Sequence, residues 1–237
     1  MTKKQSILYQ PLLLRIFHNF QAIFTILAMV TAFWTYNTYD GRWGKINFLP
    51  DWNAIEGIHG TFGLWSLLLF PVFAVYVIHR GQTKLIQKNT PNQLKLFNKS
   101  IWWYSLHRIV NTLSIFSLVF AVFTGKMMNE KWLPQGELNH IWYYLHLISL
   151  LVITLTLALH LLMGVKIGGY PLLLSMVNLQ IRDKDSWRLW KENIINNSSQ
   201  FKQLIVKEWG KLAPHFKLLE IVILLSILSA WLFSFIK

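Results

Sequence analysis

Five stretches of roughly twenty predominantly apolar residues punctuate this 237-residue chain, at about Ile16 to Tyr36, Ile58 to Ile78, Trp103 to Thr124, Trp142 to Met163 and Lys217 to Ile236. About twenty residues in a helix cover the hydrocarbon core of a bilayer. With no water there to satisfy an open backbone, a chain of this kind can cross only as helices or as a closed barrel, and runs of this length select helices. The sequence therefore predicts an all-α integral membrane protein. Its composition agrees, with 54% hydrophobic and only 14% charged residues. The first stretch ends in the bulky WTYNTY and lacks a small-x-small cleavage site, so it is expected to persist as a helix and not to be removed as a leader. Trp34, Tyr36, Trp102, Trp103, Tyr104, Trp142, Tyr143 and Tyr144 gather at the ends of the stretches, where amphipathic rings seat at headgroup level.

Five crossings place the loops alternately on two sides, which sorts the charges. The side holding the N-terminus receives 18 of the 23 Lys and Arg, whereas the 10 Asp and Glu divide evenly. The whole surplus of +13 lies on one side. Basic loops mark the cytoplasmic face, so the N-terminus is expected inside and the C-terminus outside. The positive charge thus signals topology and not a nucleic-acid partner. Residues 164–216, which mix apolar anchors with bases, are expected to lie partly on the cytoplasmic surface as amphipathic helix, with a docking surface as the rival reading and a turn at Asn196 and Asn197.

Ionisable side chains at membrane depth are costly and point to function. His146 and His160 lie 14 residues apart on the fourth stretch, within about 40° of the same helix face and roughly 21 Å apart along the axis. His18 opens the first stretch at the depth of His160, and His59 opens the second at the depth of His146. Two level-matched pairs result, and each can clamp a planar cofactor from both axial sides, as two neutral imidazoles do with haem iron. Gly57, Gly60 and Gly63 bracket His59 in EGIHGTFG and remove side chains where a porphyrin face needs room. Close helix approach and interhelical hydrogen bonds are the competing explanation of the same residues. The absence of cysteine excludes disulfides, Cys-ligated clusters, thioether-linked haem and thiol nucleophiles.

The segments LRIFHNFQAIFTIL around His18, GIHGTFG around His59, HRIVNTLSIFSLVFAVFTG in the third stretch, and the His146-to-His160 spacing followed by Gly164 resemble the bacterial cytochrome b561 family. That family includes the di-haem cytochrome b subunits of formate dehydrogenases and nickel-iron hydrogenases. Over about residues 12 to 165, the resemblance implies a four-helix transmembrane bundle in which His18, His59, His146 and His160 hold two non-covalent b-type haems. The implied layout is a cytoplasmic N-terminus (1–15), the bundle (16–163), the cytoplasmic segment (164–216) and a fifth transmembrane helix (217–237). The last two depart from the usual four-span pattern.

Several polar residues carry secondary expectations. His107, Asn111 and Ser114 form a stripe on the third stretch that can line a quinone pocket, with His107 exchanging protons and Asn111 bonding a carbonyl. Hydrogen bonding between helices explains the stripe equally well. His107 also competes with His18 as a ligand. Arg15 and Arg108 sit where haem propionates would emerge, although positive-inside anchoring accounts for them too. His79 is expected at the interface, His140 in solvent and His215 capping the approach to the fifth helix, while Pro71 is expected to kink the second. No nucleophile triad, phosphate loop or carboxylate dyad appears. The expected activity is electron transfer across the membrane, to or from quinone, as subunit or partner of a redox complex, with membrane lipid, quinone and another redox protein as partners. A structural or assembly subunit that keeps the bundle is the alternative, and a transporter is disfavoured by the lack of paired broken helices.

Overall fold

A computed structural model describes residues 10–128, 138–178, 180–186, 188–189, 191–192, 195 and 201–236. Its helices are α1 (Leu12–Tyr39), α2 (Ile55–Gly81), a short α3 (Thr90–Leu94), α4 (Ser100–Met127), α5 (Ile141–Val177), α6 (Phe201–Lys211) and α7 (Pro214–Ile236). Among the described residues there is no strand, and five helices (α1, α2, α4, α5 and α7) are long and apolar enough to cross a membrane. Each extends beyond the stretch read from hydropathy. The reason is that the polar ends, such as Asn37 to Tyr39 and Ser100, continue the hydrogen-bonded helix without adding apolar residues. The turn expected at Asn196 and Asn197 lies outside the described residues.

Antiparallel neighbours pair first, α1 on α2 and α4 on α5, and α7 then packs on α4 and α2. Phe70, Ala74 and Ile78 of α2, Ile115 and Leu118 of α4, and Phe216, Ile223 and Ile227 of α7 form one buried cluster. Removing such side chains from contact with lipid brings no large hydrophobic gain, so dense packing and polar pairs must hold the helices together. The outward faces stay oily: Val72, Leu151 and Leu225 are all more than half exposed, as lipid-facing side chains should be. One polar pair fixes α7. Nε2 of His79, near the end of α2, lies 3.1 Å from Oε2 of Glu220, so His79 is engaged by the fifth helix instead of simply facing the interface. His215 also differs from expectation. The helix already begins at Pro214, which places His215 in its first turn against Phe216 (ring centres 4.2 Å apart), not in a capping position before it. His140 is the N-cap of α5 and accepts a hydrogen bond from the Trp142 amide. α2 runs through Pro71 as one helix.

α5 is two helices joined at a kink. Gly169 adopts φ 60° and ψ −163°, a conformation essentially reserved for glycine, and Pro171 follows. The turn is sharp. Residues 164 and 173 would stand about 13 Å apart along a straight helix, yet a Cβ on Gly164 would lie 3.6 Å from the Leu173 side chain. The segment after the kink returns to α1, where Asn19 Nδ2 donates to the Met176 carbonyl (2.8 Å) and the Arg15 guanidinium donates to the carbonyls of Asn178 and Gln180. Helix thus continues well beyond Met163, into what hydropathy alone assigned to a surface segment.

The other end of the bundle is closed by Asp40, at the end of α1. Its carboxylate accepts hydrogen bonds from Arg42 Nε (2.6 Å) and Tyr143 Oη (2.7 Å), and Arg42 also reaches Asn139 and the Leu138 carbonyl. Burial opposes ionisation of Asp40, but these hydrogen bonds outweigh it and hold the carboxyl below the usual carboxylate range.

Candidate haem site

The histidines expected to pair are brought together. The rings of His59 and His146 have their centres 5.9 Å apart, and those of His18 and His160 are 6.1 Å apart. These separations test the fit of a haem. Two metal–nitrogen bonds of about 2 Å each, plus about 1 Å from each ligating nitrogen to its ring centre, require about 6 Å. Both pairs meet that requirement. The alternation of the helices explains the sorting by level: α1 starts where α5 nears its kink, and α2 starts where α5 begins.

Hydrogen bonding selects which ring nitrogen is left for a metal. His59 Nδ1 is 3.0 Å from the Ala28 carbonyl, which can only accept, so Nδ1 carries the proton and Nε2 keeps its lone pair. Thr31 Oγ1, itself donating to the Leu27 carbonyl, supports the same nitrogen at 3.3 Å. His146 Nδ1 lies 3.1 Å from Thr124 Oγ1. His160 Nδ1 lies 2.9 Å from Asn111 Oδ1, and the opposite end of that amide, Nδ2, donates to the Lys84 carbonyl at 2.9 Å. The Lys84 carbonyl therefore fixes the orientation of the amide, and the amide fixes the tautomer of His160. His18 repeats the arrangement more loosely, with Nδ1 3.5 Å from Asn19 Oδ1 while Asn19 Nδ2 holds the Met176 carbonyl. Every Nδ1 is occupied. Each ring thus presents Nε2 as the nitrogen that would be available to a haem iron, and the protein groups at Nδ1 hold the rings in place.

The glycines divide into two kinds. A Cβ on Gly57, Gly60 or Gly63 would meet nothing within 4 Å, and Gly57 and Gly60 are exposed, so tight helix contact does not require them. Gly125 on α4 is different: a Cβ there would lie 2.9 Å from Cε1 of His146. This glycine admits the ring, and its place at the end of the third stretch, level with His146, was the available signal.

Other candidates sit differently. The His107 ring centre is also 6.1 Å from that of His160, so the structure brings three imidazoles together at this level. Both ends of the Asn111 amide are engaged as described. Arg108 donates to the Thr83 carbonyl (3.0 Å) and to Gln93 Oε1 (3.2 Å) and lies over the Tyr104 ring, bracing the connection between α2 and α4. Arg15 likewise braces the segment after α5.

The sequence model described as prokaryotic cytochrome b561 matches residues 9–179. The chain belongs to this family. The cytochrome is accordingly a b-type haem membrane protein of electron transfer, and the matched region runs from the start of α1 through the segment beyond the α5 kink. Neither a curated protein nor a solved structure matches the cytochrome.

Proposed function

We propose that the cytochrome holds two b-type haems, one between His18 and His160 and one between His59 and His146, and passes electrons between them across the bilayer. The carrying observation is the pair of ring separations, 6.1 and 5.9 Å, at two levels of one bundle with every Nδ1 occupied by a protein acceptor or hydroxyl. Bound haem supplies a one-electron iron couple. The protein's part is to hold four imidazoles in one tautomer, to keep water from the levels between the helices, and to set the distance between the two centres. A haem iron held by two of these imidazoles would have no coordination position left for oxygen, which suits electron transfer.

The basic end carries the His18 and His160 level, and the positive-inside rule assigns it to the cytoplasm. Quinone is the proposed membrane-phase partner and a redox protein or complex the proposed second one. His107 is the group placed to exchange protons with quinone, since its ring makes no hydrogen bond among the described residues and stands beside His160. Asn111 is less suited to the quinone carbonyl than its position on the helix suggested, because its amide is spent on His160 and Lys84.

A reduced-minus-oxidised spectrum with a haem-to-protein ratio tests this reading, with two haems per chain expected; a purified chain without b-type absorbance would end it. The equal distances of His18 and His107 from His160 favour one specific second reading, in which His107 is the ligand. His18→Ala and His107→Ala separate the two, because only the true ligand's loss halves the haem content.

A further inference from the structure

We propose that Asn111 is a positioning residue for the inner haem ligand His160, and that through Lys84 it ties that ligand to the connection between α2 and α4. The inference rests on the two-haem reading above and adds a control on one of the two sites.

The geometry is a relay of three groups. The carbonyl of Lys84, in the 3-10 turn Gln82–Lys84, receives Nδ2 of Asn111, and Oδ1 of the same amide receives Nδ1–H of His160, each at 2.9 Å. An acceptor behind an axial imidazole raises the ligand's basicity and fixes its rotation. Turning the amide would place NH2 against Nδ1–H and a carbonyl oxygen against a carbonyl oxygen, so the Lys84 contact keeps the acceptor facing the ring. Further hydrogen bonds with α4 hold the connection itself. Ile86 N donates to Thr112 Oγ1 (3.1 Å), Arg108 Nε to the Thr83 carbonyl (3.0 Å) and Ser105 Oγ to Gln93 Oε1 (2.8 Å).

The two levels of the bundle differ in this respect. His59 and His146 lean on groups inside the spanning helices, the Ala28 carbonyl and Thr124. His160 and His18 lean on side-chain amides whose other ends hold carbonyls of flanking segments, Lys84 and Met176. A displacement of the α2–α4 connection, such as a partner docking on the basic face would impose, therefore reaches the inner site and not the outer one.

The test is a redox titration of the full-length cytochrome in detergent, resolving the two haem components, together with the low-spin ferric resonance of each and haem loss to an excess of an apo-acceptor protein. Asn111→Leu removes the acceptor. It is expected to raise the potential of the inner component alone and to speed its haem loss about tenfold or more. Asn111→Asp strengthens the acceptor and is expected to shift the same component downward. Thr112→Val frees the connection without touching Asn111. It should move the inner component in the direction of the Leu variant, and it should add nothing in the Asn111→Leu background, as coupled positions do. Wild-type protein lacking one of the two haems overturns the proposed function and this inference with it. Wild-type protein with both haems, whose inner component is unmoved by Asn111→Leu or moves together with the outer one, overturns the positioning role alone. An additive effect of Thr112→Val overturns the tie to the connection.

Discussion

Gly125 and His146 illustrate how much rests on single atoms in a membrane haem site. Gly125→Ala would place a methyl 2.9 Å from Cε1 of His146, closer than side-chain carbons settle, so ring or helix must move. On the two-haem proposal, the expected result is a distorted or depleted outer haem with the inner one spared, read from the two ferric low-spin signals. On the same proposal, His146→Ala should remove the outer haem and lower the haem-to-protein ratio by half, whereas Gly60→Ala, whose added methyl meets no protein atom within 4 Å, should lower that ratio only if the porphyrin face itself needs the space. The four histidines were legible in the sequence because hydropathy sets depth and helical arithmetic sets the face. Gly125, Thr124 and the Ala28 carbonyl were not, since a partner across a helix interface leaves no mark at a fixed spacing. Asn111 was legible as a polar residue on the right face; its partners were not, because one of them is a backbone carbonyl in a loop.

Helices in this molecule are joined by a few polar contacts whose loss should be measurable. Glu220→Ala leaves His79 without its partner at the α2–α7 contact, and a buried polar group left unsatisfied costs about 1–3 kcal/mol. Thermal unfolding in detergent should fall accordingly, with the α7 contact opening first, and His79→Leu with Glu220→Leu together should recover part of the loss. A second element-level effect concerns the α5 kink. Gly169→Ala puts a side chain on a backbone at φ 60° and ψ −163°, which costs about 1–3 kcal/mol. The straightened helix would also withdraw the Met176 and Asn178 carbonyls from Asn19 and Arg15. Hydropathy predicted the five spans and their order, and placed most of their ends to within a few residues, the end of α5 excepted. It stopped at Met163 because Lys166 and the glycines that follow lower the average, although the backbone stays helical. The register of the fifth helix on α2 was likewise invisible, for Glu220 alone does not announce which of eight histidines it meets.

At the scale of the molecule, the two ends are held by different chemistry and should respond differently to acid. The Asp40 carboxyl, held below its usual range by Arg42 and Tyr143, stabilises the fold when ionised. That contribution is complete above the unfolded value of about 3.9 and is lost as the pH falls through the lowered folded value. Acidification below about pH 4 should therefore lower the unfolding temperature of the wild type more than that of Asp40→Asn, measured in one detergent at constant ionic strength.

If electrons pass between the two histidine levels as proposed, their separation has an energetic meaning for the cell. An electron moved from one level to the other travels roughly 21 Å of a hydrocarbon layer about 30 Å thick, or about two-thirds of the electric field across it. A full crossing is worth about 2.3 kcal/mol per 100 mV, so this step changes by about 1.6 kcal/mol, a factor of about fifteen in the equilibrium, for every 100 mV of membrane voltage. Voltage thus enters the reaction as though it were one of its reagents: an electron moving toward the cytoplasmic level builds the inside-negative voltage, and one moving outward draws on it.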